Sequence, residues 1–288
     1  MLNKDRYLTK SRFKEGLECP TKLYYSKNPE YQNNQLDNPF LESLAEGGYQ
    51  IGELAKFLIS DQPYIDDITV ESLDYQESIQ STNKKLKKQF VSIAEPAFLY
   101  KNLFLRVDLL QKKDDEINIY EVKSKSWGYE GVDDQEFKVF IKEYKRGENK
   151  GKRVIDPNWK FYLYDIAFQR YVVRNLFPEK KINTHLVLAD KLSKTSIEGL
   201  NQFFKIENNN GRKSVNVKKS LNIKELGTLP LKVVNVDQVC DFIENTEIEG
   251  NSFVDHIEHL SNLYKLKIRD WRKVDHNCFK CQYRNDSY

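Results

Sequence analysis

The sequence predicts a fold of the α/β class. The first observation is a run of three strand-like segments between residues 91 and 123, separated by polar breaks. The second is a set of longer segments, such as 41–58 and 159–177, in which apolar residues recur at helical spacing. A chain that combines such strands with such helices is expected to cover its sheet with the helices.

The strand-like segments give the simplest arrangement of the sheet. Short polar breaks, Lys101-Asn102 and residues 112–116, separate them, so an antiparallel meander is the simplest arrangement. Their limits are 91–100, 103–111 and 117–123, and a further short strand is predicted at 185–189.

The helical segments differ in character. The segment 159–177 is apolar on most of its circumference, which is typical of a buried helix. The first helix is predicted to begin at Ser11 and to end near Cys19-Pro20. Other helices are predicted at 75–90, 236–245 and 254–266, whereas the charged, glycine-containing stretch 128–158 predicts a loop or an insertion.

Length and composition indicate one polar, globular unit. The chain has 288 residues, 31% of them charged, and a mean hydropathy of −0.70. No apolar run approaches the roughly 18 residues that span a bilayer, and the N-terminus lacks the apolar core of a secretory signal. We therefore expect a cytoplasmic protein that does not contact membranes. A single domain over 1–288 is expected, with an N-terminal helical part (1–60), a core that carries the candidate site (91–190) and a C-terminal helical part (191–288).

Two carboxylates and one ammonium interrupt the apolar strands. Asp108 lies within the second predicted strand, where burying an unpaired carboxylate would be costly. Glu121 and Lys123 lie on the third strand and project from the same face, with Val122 pointing to the opposite side. If the two strands pair, Asp108 lies beside Glu121.

This grouping suits the cleavage of phosphodiesters. Asp108 and Glu121 offer hard oxygen ligands for Mg²⁺ or Mn²⁺, and the Val122 carbonyl is a further candidate ligand. Such an ion acidifies a bound water, and Lys123 would orient that water or stabilise charge that grows on the phosphate.

The alternative interpretation is a cross-strand salt bridge on the solvent side of a hairpin. From these residues alone the two interpretations carry about equal weight, because a carboxylate followed by a Glu-x-Lys strand recurs by chance. Asp165 and Gln169 favour the site, because they share one face of an otherwise apolar helix and need polar partners.

Basic residues and cysteines form the remaining candidate sites. Lys145, Arg146, Lys152 and Arg153 could contact phosphates, or they could belong to a solvated loop. Cys278 and Cys281 form a CxxC, which indicates a metal or cluster site in a chain without an export signal, and zinc suits this spacing.

The residues named above resemble a known family. Asp108, the Glu-Val-Lys of 121–123 and a following helix with Gln169 are similar to the RecB-type branch of the PD-(D/E)XK nucleases. This resemblance implies a restriction-endonuclease-like core, a central mixed sheet flanked by helices, with N- and C-terminal helical segments packed together. The N-terminal SRFKEGLECPTKLYY and the C-terminal CFKC resemble the CRISPR-associated Cas-four-type exonucleases and their uncharacterised bacterial relatives. The resemblance extends from about residue 8 to the end, mostly in short segments.

The resemblance implies a set of site residues. Asp108 and Glu121 would be metal ligands, Lys123 the catalytic lysine and Gln169 the motif glutamine. The family also has a ligand, commonly histidine, on an early helix. Here Gly52 occupies that place, and Glu53 is the nearest candidate substitute.

An iron–sulfur cluster is also implied. In the family, one N-terminal cysteine and a C-terminal cysteine group bind the cluster and join the chain ends. Cys19, Cys278 and Cys281 match this pattern, so a [4Fe–4S] cluster, or Zn²⁺, is expected. No further cysteine follows Cys281; Cys240 could be the fourth ligand or an inert buried thiol, and His276 is another candidate.

We therefore expect a metal-dependent nuclease that acts on DNA, from an end or on single strands, with protein partners in a defence, CRISPR or repair system. A second hypothesis is a catalytically weak or inactive nuclease-fold module that binds nucleic acid or a protein. A third is an unrelated α/β protein whose Glu-x-Lys forms a surface ion pair.

Overall fold

A computed structural model describes residues 6–35, 39–59, 74–129, 136–209, 212–217 and 226–284. Its α-helices are α1 (Lys10–Glu18), α2 (Thr21–Tyr25), α3 (Pro39–Lys56), α4 (Tyr75–Lys85), α5 (Glu136–Phe140), α6 (Lys160–Leu176), α7 (Asp237–Glu244) and α8 (Phe253–Leu266). Its strands are β1 (Phe90–Ala94), β2 (Ala97–Tyr100), β3 (Leu103–Arg106), β4 (Leu109–Lys113), β5 (Glu116–Trp127), β6 (Ile141–Glu143), β7 (Arg153–Ile155), β8 (Lys181–Asp190), β9 (Phe204–Asn209), β10 (Arg212–Val217) and β11 (Leu231–Asn235).

The central sheet of the described residues has five strands in the order β1-β4-β5-β8-β11. The β5–β8 pair is parallel and the other pairs are antiparallel, so the sheet is mixed. Helices cover the sheet, and the predicted α/β class is confirmed. The predicted meander is confirmed for β1, β4 and β5.

The first two predicted strands are each broken in two. Pro96 has no N–H to donate to a ladder, and Glu95 adopts a left-handed backbone with φ of 55°, so the chain turns after Ala94. β2 and β3 pair with each other as a separate hairpin, and the chain rejoins the central sheet at Leu109. The continuous strands predicted at 91–100 and 103–111 are therefore wrong, because the bend at Glu95-Pro96 interrupts both strands of the ladder.

The two faces of β5 contact different layers. Ile117 and Ile119 join the main core, which also contains α6 and parts of α1, α7 and α8. Tyr120 and Val122 pack on the opposite face, against Ala55 in α3 and Ile59 beyond its end. This two-sided burial follows from the alternation of side chains along a strand. Glu121 and Lys123 consequently lie on the α6 side of the sheet.

The long helices largely agree with the predictions. α1 begins at Lys10 rather than Ser11, because the Thr9 hydroxyl caps the helix by accepting a hydrogen bond from the Arg12 N–H at 3.4 Å. The predicted helices near 159–177, 236–245 and 254–266 are confirmed as α6, α7 and α8. Within 128–158, residues 136–155 form α5 and the β6–β7 hairpin instead of an irregular loop.

The two ends of the described chain contact each other, as predicted. The Arg269 guanidinium donates to the Tyr25 hydroxyl at 2.7 Å, and Lys22 Nζ donates to Gln282 Oε1 at 2.8 Å. The backbone N–H of Asn34 donates to the Gln282 carbonyl at 2.8 Å. The segment with Cys278 and Cys281 therefore lies against α2, which follows Cys19, and against Asn34. Among the described residues, no helix is long and apolar enough to cross a membrane.

Candidate functional site

Asp108 lies at the bend between β3 and β4, and not within a strand as predicted. Its Oδ2 accepts a hydrogen bond from the Val122 N–H at 2.8 Å. The pairing of β4 with β5 runs only from Lys113–Glu116 to Leu109–Tyr120, so β5 has a free edge beyond Tyr120. The carboxylate of Asp108 thus continues the ladder where β4 has ended, and the predicted proximity of Asp108 to the Glu121 strand is confirmed.

Val122 presents its backbone to this edge. The N–H and the C=O of one residue point to the same side of a strand, as they do in a hydrogen-bonded antiparallel pair. Because the Val122 N–H contacts Asp108, its carbonyl faces the same side. The Val122 carbonyl therefore points to the side on which Asp108 lies, as its predicted role as a metal ligand requires.

Lys10, which the sequence did not indicate, joins the two carboxylates. Its Nζ lies 3.0 Å from Asp108 Oδ1 and 2.8 Å from Glu121 Oε2. Burial acts to lower the pKa of Lys10, but the attraction of Asp108 and Glu121 prevails and raises it well above its ordinary value. A single cation, here an ammonium, therefore lies between both predicted ligands.

The charges of the two carboxylates are stabilised unequally. Burial and the neighbouring Glu121 raise the pKa of Asp108, against the opposing effect of Lys10. Glu121 is fully buried, yet the ammonium groups of Lys10 and Lys123 outweigh this burial and hold its pKa well below its ordinary value. Glu121 contacts Lys123 through its second oxygen and is the more strongly paired carboxylate of the two.

α6 contributes a buried polar pair behind Glu121. Gln169 Nε2 donates to Glu121 Oε2 at 2.7 Å and to Asp165 Oδ1 at 3.2 Å. Asp165 Oδ2 lies 3.3 Å from Lys14 Nζ and 3.7 Å from Lys123 Nζ. The predicted common face of Asp165 and Gln169 is confirmed, and their polar partners belong to the candidate site.

Lys10 and Lys14 reach the site from one helix because they are four residues apart, one turn along α1. Between them Phe13 is fully buried and stacks on Phe168 of α6, with ring centroids 4.6 Å apart. This aromatic contact presses α1 onto α6 and directs both lysines toward the carboxylates. In the sequence, the placement of these two lysines is indicated only by their spacing around Phe13, and this is a weak signal.

Glu95 is a further acidic neighbour. Its backbone N–H donates to the Asp108 carbonyl at 3.0 Å, at the left-handed turn between β1 and β2. Burial and the nearby Asp108 carboxylate raise the pKa of Glu95 to about 7. The sequence did not indicate Glu95, because its proximity depends on the broken strand.

Glu53 is not brought to the carboxylates. Its Oε1 forms an ion pair with Lys56 Nζ at 2.6 Å along α3. The end of α3 packs on the sheet face that carries Val122, opposite the face of Glu121. Among the described residues, no three acidic, histidine or cysteine side chains are grouped so as to hold a metal ion, so Glu53 does not complete a three-carboxylate set.

The four cysteines are free thiols and do not form such a group either. Cys19, Cys278 and Cys281 are half-buried in the region where the chain ends meet. Cys240 is fully buried in α7, its sulfur 3.6 Å from Thr184 Oγ1, and burial raises the pKa of its thiol to about 12. The structure therefore favours the inert thiol over the cluster ligand for Cys240.

The four predicted phosphate-binding residues lie on the β6–β7 hairpin. Lys145, Arg146, Lys152 and Arg153 are all exposed. Arg153 also packs over the Phe242 ring, with its Cζ 5.8 Å from the ring centroid. Another cation, Lys125, follows Lys123 on the same face of β5 and lies 4.6 Å from the centroid of the Trp159 ring.

Comparison with known proteins assigns no family. A scan of the chain against protein-family models and a search of curated proteins both find no match.

Proposed function

We propose that this protein is a metal-dependent nuclease that hydrolyses phosphodiester bonds of DNA, acting at ends or on single strands. The observation that carries the proposal is the convergence of Asp108 and Glu121 on one cation, with both oxygens within 3.0 Å of Lys10 Nζ. Lys123 lies on the same face of β5 as Glu121 and forms an ion pair with it. An unrelated surface ion pair would not bury Glu121 completely.

The donor set fits Mg²⁺ or Mn²⁺. Asp108 and Glu121 supply two carboxylate oxygens, and the Val122 carbonyl faces the same edge of β5. Mg²⁺ is commonly held by one or two carboxylates, with waters and substrate phosphates as its other ligands, so a third protein carboxylate is not required. When bound, the ion supplies a polarised phosphate oxygen and a water of lowered pKa.

The protein side chains have separate tasks in this proposal. Lys123, whose pKa is raised by its carboxylate neighbours against the opposing effect of burial, stays charged and stabilises negative charge on the reacting phosphate. Gln169 fixes the orientation of Glu121 by donating to its Oε2 at 2.7 Å. Lys10 would leave the carboxylates to a divalent ion, and its ammonium would then be available to a phosphate oxygen.

The same lysine also favours the second candidate function. The Lys10 ammonium neutralises Asp108 and Glu121 without any metal. If it stays in place, the fold is a binding module for nucleic acid or a protein, with little or no cleavage activity. The two functions therefore differ in whether a divalent ion displaces Lys10.

We also propose that Cys19, Cys278 and Cys281 bind an iron–sulfur cluster or Zn²⁺. The contact between the two chain ends supports this proposal, because Lys22, three residues after Cys19, donates to Gln282, which follows Cys281. The test is metal and sulfide analysis of anaerobically purified protein, with Cys278→Ser as the variant that should lose the metal. The polar composition supports a cytoplasmic location. Protein partners in a defence or repair system are proposed from the resemblance to the Cas-four-type exonucleases.

The nuclease proposal is tested by digestion of single-stranded, linear double-stranded and circular DNA with Mg²⁺ or Mn²⁺. We expect Asp108→Ala, Glu121→Ala and Lys123→Ala to lower the cleavage rate by at least about 100-fold. Asp115→Ala is the matched control, because this exposed carboxylate lies in the β4–β5 turn and pairs with Lys180 at 2.7 Å. EDTA should abolish cleavage. Undiminished digestion by the Asp108→Ala protein would refute the assignment.

A further inference from the structure

The C-terminal segment 265–284 differs in charge from the rest of the chain. It contains seven lysine and arginine residues and two aspartates, a net charge of +5, whereas the whole chain has +3. The other residues together are thus slightly acidic. Four of its lysines have exposed side chains: Lys265, Lys267, Lys273 and Lys280. The net positive charge of the chain therefore comes from this one short segment.

The same segment exposes large apolar side chains. Val274, Trp271 and Phe279 have 88%, 74% and 72% of their surface exposed, the highest values among the large hydrophobic residues that the structure describes. A soluble protein rarely exposes a group of such side chains unless they bind something. Exposure on this scale leaves the ring of each aromatic residue accessible to a ligand.

Each exposed ring has an arginine stacked on it. The Arg269 guanidinium carbon lies 3.7 Å from the centroid of the Trp271 ring, and that of Arg284 lies 4.3 Å from the centroid of the Phe279 ring. Arg269 is itself held by its hydrogen bond to Tyr25. The Trp271 ring is therefore positioned through Arg269 by α2, although the ring is exposed.

We propose that segment 265–284 binds a single strand of nucleic acid, with bases stacked on Trp271 and Phe279 and phosphates paired with the lysines. Accessible aromatic rings among basic side chains are the combination that holds single strands without regard to sequence. A protein-binding surface would be expected to have fewer lysines in its centre. The proposal rests on the proposed function, because it takes the substrate to be nucleic acid and adds a second contact with it.

The segment is linked to the candidate site through the N-terminal helices. Lys10, the first residue of α1, contacts the carboxylates, and α2, which begins at Thr21, contacts the segment through Lys22 and Tyr25. α1 has nine residues and spans about 13 Å at 1.5 Å per residue. α1 and α2 thus connect the two carboxylates to the segment that carries Trp271.

Tryptophan fluorescence gives a direct test. The chain has three tryptophans, and Trp127 and Trp159 are buried, with only 2% and 3% of their surfaces exposed. Quenching by added oligo(dT) in EDTA, where cleavage is prevented, should therefore report on Trp271. We expect quenching in the native protein, and none in Trp271→Phe. No quenching in the native protein would overturn the proposal.

Binding of fluorescein-labelled oligo(dT) by anisotropy tests the same surface independently. Trp271→Ala and Phe279→Ala should each raise the Kd about 5- to 150-fold, the range expected for one stacked base. Trp271→Tyr retains a ring and should restore most of the affinity. Tyr49→Ala, at an exposed aromatic residue of α3 outside the segment, is the matched control and should leave the Kd unchanged.

The contribution of the lysines is tested by charge reversal. Lys273→Glu should weaken the binding of oligo(dT) and make the Kd less dependent on salt concentration. Lys194→Glu, at an exposed lysine outside the segment, should do neither. An unchanged Kd for Trp271→Ala overturns the proposal. The proposal is also overturned if the native protein is a dimer, Trp271→Ala dissociates it, and the variant still binds oligo(dT). Binding through Trp271 without any Mg²⁺- or Mn²⁺-dependent cleavage would refute only the nuclease, and cleavage that is insensitive to Trp271 and Phe279 would refute only this surface.

Discussion

Replacing Lys10 by methionine removes the ammonium between Asp108 and Glu121 but keeps most of the length of the side chain. In the metal-free protein two carboxylates then face each other, with Lys123 as the nearest remaining cation. A divalent ion can restore the lost positive charge, so the variant should depend on metal for stability more than the native protein does.

The size of the effect follows from the burial of the partners. Removal of one member of a buried ion pair costs about 3–5 kcal/mol. Glu121 is fully buried, but 26% of the Asp108 side chain is exposed, which places the loss near the lower end, about 3 kcal/mol. If an ion must displace Lys10 in the native protein, the variant avoids that cost, and its metal affinity should rise by up to about 100-fold.

Urea unfolding in EDTA and in Mn²⁺ measures the stability change, and isothermal titration measures the Mn²⁺ affinity. Lys14→Met is the matched control on the same face of α1. Its ammonium lies 3.3 Å from Asp165, whereas the ion pairs of Asp108 and Glu121 are with Lys10 and Lys123, so its loss should leave Mn²⁺ affinity nearly unchanged. If Lys10→Met binds Mn²⁺ no more tightly than the native protein does, a divalent ion does not displace Lys10. The second candidate function, a binding module without cleavage activity, would then be favoured.

Three further predictions concern groups around the site and in the core. Gln169→Leu should lower the free energy of unfolding by about 1–3 kcal/mol in urea, because buried oxygens of Glu121 and Asp165 lose a donor; an unchanged midpoint would contradict this. Cys240, with a pKa of about 12, should resist iodoacetamide at neutral pH until urea unfolds the protein, as mass spectrometry of the alkylated peptides would show. Burial lowers the pKa of His256, so the unfolded chain takes up a proton near pH 6.5 before the native protein does. Stability should therefore fall as the pH drops below about 6.5, by at most about 1.4 kcal/mol per pH unit from this group, and His256→Phe should remove that part of the slope in urea unfolding at several pH values.

Local patterns predicted much of the fold because they depend on periodicity. The apolar circumference of 159–177 required a buried helix, and α6 is that helix. Alternation along 117–123 required Glu121 and Lys123 to share a face, and they do. The strand predictions for 91–100 and 103–111 failed where a left-handed residue before Pro96 bends the chain, since alternating apolar residues continue across such a bend.

In the candidate site, too, the sequence determined some features and the tertiary structure determined others. The sequence by itself determined that Glu121 and Lys123 lie side by side and that Asp165 and Gln169 share a helix face, because these spacings are fixed by strand and helix geometry. Only the tertiary structure decided that Lys10 joins Asp108 and Glu121, across 98 and 111 residues of chain, and that Glu53 pairs with Lys56 instead of joining them. Contacts over such separations depend on which helix packs on which sheet face, here on Phe13 against Phe168, and that choice is made by the whole core.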